Sequence, residues 1–257
     1  MDLGLTGKTA LVTGGSRGLG RQAAIALAKE GCNVAICARG QEALDNAVAE
    51  IAALGVRAIG IAADVTTQEG AERIHQETTA ALGPVDVLVN NVGGSTGRDF
   101  DSADDAAWNA TLQLSLFSGI RLVRLCLPSM KSRRWGRIIS ISSIYGREYG
   151  GGLTYMTAKA SLIAFSKHLA IEVAADGITV NTIAPGSIAF PGGGWDRFQR
   201  TNTKEVVDEF VRHNLPMGRF GWPEPIGATV AFLSSIQADL ITGACINVDG
   251  GQSRSLI

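Results

Sequence analysis

Residues 9–20, Thr9-Ala10-Leu11-Val12-Thr13-Gly14-Gly15-Ser16-Arg17-Gly18-Leu19-Gly20, decide the architecture. Thr9–Thr13 is a short apolar and β-branched run, the composition of a strand covered on both faces. It leads without a break into glycines, and then into residues 18–30, where apolar side chains recur at helical spacing. A strand, a glycine-rich turn and a helix start in direct succession suit a pyrophosphate. The glycines let the backbone turn tightly and come close to the anion. The first helical N–H groups and the positive end of the helix dipole then face it. No Gly-Lys-Ser/Thr follows, so the turn is not a P-loop.

Outward from this unit the same alternation continues. Further strand-like runs lie at 33–38, 58–63, 85–90, 137–142, 178–183 and 244–248, and helical patterns at 42–54, 68–82, 106–132, 155–175 and 225–234. Strands alternating with helices imply right-handed βαβ units. The expectation is an α/β, doubly wound Rossmann fold: a seven-stranded, mostly parallel sheet with helices on both faces. The 257 residues read as a single domain, 1–257. The one irregular stretch is 185–216, which contains three consecutive glycines beside Trp195 and Phe198. We read it as a substrate lid at about 187–215 with a short helix at 204–213, since ligand crevices lie beyond the carboxyl ends of such strands.

Composition narrows the function. Lys plus Arg is 23 and Asp plus Glu is 24, a net charge of -1. That balance argues against a nucleic-acid partner and against a polybasic membrane anchor. No apolar run approaches the roughly 20 residues of a membrane helix, and no secretory leader pattern is present, so the expected compartment is the cytoplasm. The three histidines are scattered and the four cysteines form no Cys-x-x-Cys pair, so no metal site is expected. Cys32 and Cys37 flank the second strand and read as core residues.

The second strand ends Cys37-Ala38-Arg39. A cofactor with a free ribose 2′-hydroxyl usually meets an acid at this end. Arg39 stands there instead, and Arg17 lies in the glycine turn. Guanidinium groups match phosphate oxygens in pairs, so NADP(H) is expected over NAD(H). Tyr155 and Lys159 are four residues apart, on one face of a helix. A free tyrosine has a pKa of about 10, which a neighbouring ammonium lowers. Tyr155 is therefore a candidate to exchange a proton with a substrate oxygen. Ser143, at the end of the preceding strand, is placed to hold the same oxygen.

Together these residues resemble the short-chain dehydrogenase/reductase family, in its compact single-domain form, with a pattern like that of 3-oxoacyl-acyl-carrier-protein reductases. Thr13-Gly14 with Gly18-Leu19-Gly20 is similar to the family's cofactor turn, which here also holds Ser16. Asp64-Val65 is similar to its adenine-contacting pair, and Asn90-Asn91-Val92-Gly93 to its Asn-Asn-Ala-Gly segment. Ser143, Tyr155 and Lys159 match its catalytic set. Pro185-Gly186-Ser187-Ile188 matches its segment beside the nicotinamide, and Gly243 with Val248-Asp-Gly-Gly251 its C-terminal signature. The resemblance implies that Tyr155 is general acid in ketone reduction and base in alcohol oxidation. It implies that Lys159 binds the nicotinamide ribose and lowers the Tyr155 pKa, and that Ser143 polarises the carbonyl. The cofactor site would draw on Gly14, Ser16, Arg17, Gly18, Leu19, Gly20, Arg39, Asp64, Val65, Asn91, Gly93, Tyr155, Lys159, Pro185, Gly186 and Ile188. A homotetramer or dimer is implied, acting on a small-molecule ketone or secondary alcohol.

Two positions depart from the pattern. Ser115 stands where the family commonly has a catalytic Asn, and Phe190 where it often has a Thr against the carboxamide. Candidate substrate contacts are Ser95, Arg98, Tyr145, Arg147, Tyr149, Trp195 and Phe198. Two other readings share the glycine turn: a catalytically idle nucleotide-binding or regulatory protein on this fold, and a methyltransferase.

Overall fold

The seven apolar runs become seven parallel strands in a computed structural model that describes residues 2–94 and 96–256. They are β1 (Thr9–Thr13), β2 (Asn33–Ala38), β3 (Ala58–Ala62), β4 (Val87–Asn90), β5 (Gly136–Ile141), β6 (Ile178–Pro185) and β7 (Cys245–Val248). Their order across the sheet is β3-β2-β1-β4-β5-β6-β7. Every pairing is parallel. The helices are α1 (Gly18–Lys29), α2 (Gln41–Ala52), α3 (Gln68–Leu82), α4 (Asp105–Leu112), α5 (Ser118–Arg133), α6 (Leu153–Val173), α7 (Gly194–Thr201), α8 (Lys204–Asn214) and α9 (Glu224–Ser234).

Strand alternation splits the core in two. On β1, Ala10 and Val12 face a layer filled from α1, α2 and α9, with Leu27, Leu44 and Ile226 fully buried. Leu11 faces the opposite layer, filled from α3, α5 and α6, with Ile74, Leu122 and Val173. Cys32, Cys37 and Cys126 are buried, and burial pushes their thiols up to about 12, which makes them apolar fillers. Strand β4 starts at Val87 because Asp86 is used otherwise. Its carboxylate accepts from the Thr9 N–H at 2.8 Å and pairs with Arg133.

Two segments differ from the sequence expectation. The helical pattern at 106–132 is not one regular helix: a π-helical turn over Gln113–Phe117 separates α4 from α5. The composite run Asp105–Arg133 is long and apolar enough to cross a membrane by length and composition, although no uninterrupted apolar run stands out in the sequence. Leu122, Val123, Cys126 and Met130 pack into the second core layer, while Phe117 is exposed. The irregular 185–216 stretch holds two helices, α7 and α8, instead of one. Asp196 accepts from the Gly192 N–H at 2.8 Å and pairs with Arg200, which supports a helix the glycine run conceals from periodicity. Neither helix has a fully buried residue. Instead they are held by four half-buried rings, Trp195, Phe198, Phe210 and Phe220, with centroids 4.8–6.5 Å apart.

Candidate active site

Strand order reverses between β1 and β4, and the crevice opens at their carboxyl ends, where ligands bind in such sheets. Thr13 closes its floor. The Thr13 Oγ1 accepts from the N–H groups of Asn91 at 2.9 Å and Val92 at 3.2 Å, and the Asn91 side-chain amide donates to Thr13 O at 2.8 Å. The glycine turn starts α1 directly above this knot. At Gly20 an added Cβ would stand 2.4 Å from Gly14 O, so only glycine lets the helix start so close to the strand end.

A cleft of about 880 Å³ runs from this turn across the sheet. Gly14, Ser16, Arg17, Leu19, Arg39, Asp64 and Val65 line one half. Asn91, Gly93, Ser143, Tyr155, Lys159 and the Pro185–Ile188 segment line the other. Thus most of the site residues expected from sequence meet on one cavity, and Gly18 and Gly20 form the turn that bounds it. Arg17 and Arg39 are exposed and make no ion pair among the described residues. Two hydrogen bonds from Thr66, at 2.9 and 2.7 Å, hold the Asp64 carboxyl below its usual range, and Arg39 adds to the effect.

The catalytic candidates are fixed from below. Strand β5 ends at Ile141, and Ser143 lies just beyond it, entering a short 3-10 turn over Ile144–Gly146. Its Oγ accepts from the Tyr145 N–H at 3.2 Å and hydrogen-bonds the Tyr155 hydroxyl. Helix α6 begins at Leu153, so Tyr155 and Lys159 occupy its first two turns. Ser142 Oγ donates to Lys159 O at 3.0 Å, and Lys159 Nζ donates to Ile141 O at 2.7 Å. These two bonds lock the register of α6 against β5. An added Cβ at Gly93 would stand 2.7 Å from Lys159 Nζ, so the Asn91–Gly93 segment packs directly on the ammonium.

The electrostatics correct one sequence expectation. Burial lowers Lys159 to about 8. Tyr155 is raised above its ordinary value by burial, with the Ser143 hydrogen bond pulling the other way and Tyr145 adding to the rise. Lys159 Nζ is 5.7 Å from the Tyr155 ring centroid and does not lower the phenol here. Desolvation outweighs an ammonium that is itself desolvated.

Other expectations divide. Ser115 sits in the π-helical turn, 3 % exposed, outside the cleft lining. Its hydroxyl donates to Gly94 O at 2.8 Å and accepts from Gly94 N at 3.1 Å. It therefore braces the segment beside Lys159 instead of presenting its hydroxyl to the cleft. Phe190 packs its ring over Gly18 and against Gly193, tying the entry of α7 to the glycine turn. Tyr145 and Trp195 line the cleft; Phe198 lies in the ring cluster behind it. Arg98 and Tyr149 are exposed and do not line this cleft, and Ser95 lies outside the described residues. Arg147 is turned away: its Nη1 donates to Cys245 O at 2.7 Å and Asn247 Oδ1 at 2.8 Å, fastening the turn after Ser143 to β7. Sequence reasoning missed Gln252, whose Oε1 accepts from the Ser187 N–H at 2.7 Å. A contact across 65 residues leaves no local signal. Among the described residues no group of three His, Cys, Asp or Glu side chains could hold a metal ion.

The family model described as short chain dehydrogenase matches residues 8–194, which include the glycine turn, Ser143, Tyr155 and Lys159. The chain belongs to the short-chain dehydrogenase family. It is similar to nodulation protein G of Azospirillum brasilense, at 39% identity over 246 residues, 95% of this chain and 97% of that one. It is also similar to the 3-oxoacyl-[acyl-carrier-protein] reductase of Escherichia coli, at 38% identity over 252 residues, 95% of this chain and 97% of the relative. Among solved structures it resembles L-sorbose reductase from Gluconobacter frateurii, complexed with NADPH and L-sorbose, at 33% identity and a TM-score of 0.92, with 100% of both chains covered. As a short-chain dehydrogenase it is an oxidoreductase, and the idle and methyltransferase readings find no support.

Proposed function

We propose that this short-chain dehydrogenase is NADP(H)-dependent and interconverts a ketone and a secondary alcohol, with Tyr155 as general acid/base. The observation that carries this reading is the placement of Ser143, Tyr155 and Lys159 along one half of a cleft whose other half presents two exposed guanidiniums, Arg17 and Arg39. The residues fit a phosphorylated dinucleotide. Gly14, Ser16, Arg17 and Leu19 of the glycine turn line the cleft beside the N-terminus of α1, and an arginine stands at the end of β2 where a 2′-hydroxyl reader would be acidic. The L-sorbose reductase structure contains NADPH, which supports the same choice.

When bound, the cofactor would supply or accept the hydride at the carbonyl carbon. The chain's own residues do the remaining work. Ser143 and Tyr155 bring two hydroxyls to one substrate oxygen and polarise it. In reduction Tyr155 donates its proton to that oxygen as charge develops there, and in oxidation it takes the proton back. A phenol held above its ordinary value is fully protonated at neutral pH, the state reduction requires. Lys159, anchored on Ile141 O and packed on Gly93, lines the same half of the cleft, where its ammonium would hold the ribose hydroxyls of the cofactor. Phe190 with Gly194 and Trp195 of α7 lines the cleft, and the α7–α8 pair would close over a bound substrate as a lid that excludes water. The chain acts in the cytoplasm and assembles as a homotetramer or dimer.

Calorimetric titration of the purified protein with NADPH and NADH tests the cofactor, and Tyr155→Phe tests the chemistry. NADPH should bind at least tenfold more tightly, about 1.4 kcal/mol. Ketone-dependent NADPH oxidation should fall by at least roughly a hundredfold in Tyr155→Phe, with the NADPH Kd within about twofold of wild type. Equal affinity for NADH would reduce Arg17 and Arg39 to surface residues. Undiminished turnover in the variant would remove Tyr155 from the mechanism.

A further inference from the structure

A second cavity, of about 790 Å³, adjoins the cleft and shares Ile144 and Tyr145 with it. Polar and apolar surface share its wall, the polar groups coming from side chains that include Tyr145, Tyr149, His213, Asn214, Gln252 and Arg254. The last residues of the chain form one side of it, and they are latched in two places. Gln252 Oε1 accepts from the Ser187 N–H at 2.7 Å, on the Pro185–Ile188 segment of the cleft. Glu148 Oε2 accepts three hydrogen bonds from the tail: Ser253 Oγ at 3.0 Å, Arg254 N at 2.7 Å and Ser255 N at 2.8 Å. Glu148 itself belongs to the turn that begins at Ser143, its N–H donating to Ile144 O at 3.1 Å. The tail is thus a strap between the two segments that flank the reacting carbonyl.

Tyr145 forms the partition between the cavities. Its ring lies so close to Gly150 that an added Cβ there would stand 2.2 Å from a ring carbon. Burial, with Glu148 adding, holds its phenol above the ordinary value, so its hydroxyl remains a donor. A site with hydroxyl, amide, imidazole and guanidinium groups around one space rewards a ligand that returns those hydrogen bonds. A hydrocarbon chain there would leave them unpaired.

Resting on the reductase reading above, we propose that the second cavity is the subsite for the part of the substrate beyond its carbonyl, and that it takes a hydroxylated chain. Glu148 is the positioning residue that holds its wall. The carboxylate touches no reacting atom; it fixes the tail, and through it the distance between the Ser143 turn and Ser187.

The test compares two ketones with the same reacting carbonyl and chain length, hexan-2-one and 5,6-dihydroxyhexan-2-one, with NADPH. The wild type should favour the diol at least tenfold in kcat/KM. Glu148→Ala should cut kcat/KM for the diol at least tenfold, chiefly through KM, and for hexan-2-one only about twofold or threefold. Glu148→Gln keeps an oxygen that accepts the tail's hydrogen bonds, and should retain the preference. Arg254→Ala, an exposed change that leaves the fold intact, should also erode the preference, by about threefold. A wild type with no preference for the diol, or equal losses on both ketones in Glu148→Ala, overturns the subsite and leaves the reductase standing. Reduction of neither ketone by a wild type that binds NADPH overturns the reductase reading itself.

Discussion

Lys159, the lysine of the proposed catalytic set, strains the fold that holds it. Its side chain is 3 % exposed, its ammonium meets Ile141 O and the Gly93 backbone, and no carboxylate is near enough to oppose the burial that lowers it to about 8. Relative to an unfolded lysine at 10.5, this costs on the order of 3 kcal/mol at neutral pH. A lysine whose folded value is lowered binds fewer protons when folded. Wild-type stability should therefore rise as pH climbs from about 8 toward the unfolded value, and the penalty is complete below 8. Lys159→Met should abolish turnover yet unfold at a higher temperature than wild type at pH 7, with the margin shrinking by pH 9.5. Thermal unfolding at the two pH values measures this, and a variant less stable at pH 7 would show that the hydrogen bond to Ile141 outweighs desolvation. The spacing of Tyr155 and Lys159 was legible in the sequence. The direction of their shifts was not, because desolvation depends on what α6 packs against.

At the scale of elements, the π-helical turn between α4 and α5 is the feature that periodicity conceals. Five residues adopt it within a run that otherwise reads as helix, and it carries Ser115 to the backbone of Gly94. Such turns are frequent at functional sites, since the extra residue re-aims a side chain. Removing the hydroxyl leaves the Gly94 N–H and C=O unpaired in a half-buried segment. Ser115→Ala should lose about 1–2 kcal/mol in denaturant unfolding. It should also lower kcat more than it weakens NADPH, because the brace supports Gly93 beside Lys159. A variant with wild-type kcat would confine Ser115 to stability. The α7–α8 pair tells the same story differently. Three glycines before Trp195 read as loop, and it is contacts among four rings from both helices and Phe220 that hold the pair together.

Over the whole molecule, the two ends of the sheet have separate duties. The carboxyl ends carry the cleft. The amino end of β5 carries Arg137, 2 % exposed, stacked 4.3 Å over Trp135 and paired with Asp239, with Lys8 on the same ring at 4.1 Å. Burial lowers Arg137 from its ordinary value, and Asp239 offsets part of this. None of Lys8, Trp135, Arg137 and Asp239 lines the cleft. Arg137→Ala should cost about 2–3 kcal/mol through lost packing and pairing, a fall of roughly 5–10 °C in Tm for a chain of this size. NADPH affinity at 25 °C should remain within twofold. A large loss of affinity would mean that the far end of the sheet is coupled to the cleft.

Seven strands in a mostly parallel sheet, the glycine turn and the helical spacing of Tyr155 and Lys159 were legible in the sequence. Each rests on features within a few residues: short continuous apolar runs, backbone freedom at glycine, and a four-residue helical step. The tertiary structure alone decided that Arg147 faces β7 and not the cleft, that Ser115 serves Gly94, that Phe190 covers Gly18, and that Glu148 and Gln252 hold the C-terminal tail across the site. Those contacts join residues tens to more than a hundred positions apart. Their partners are chosen by which surfaces the packed sheet brings together, and no local pattern encodes that choice.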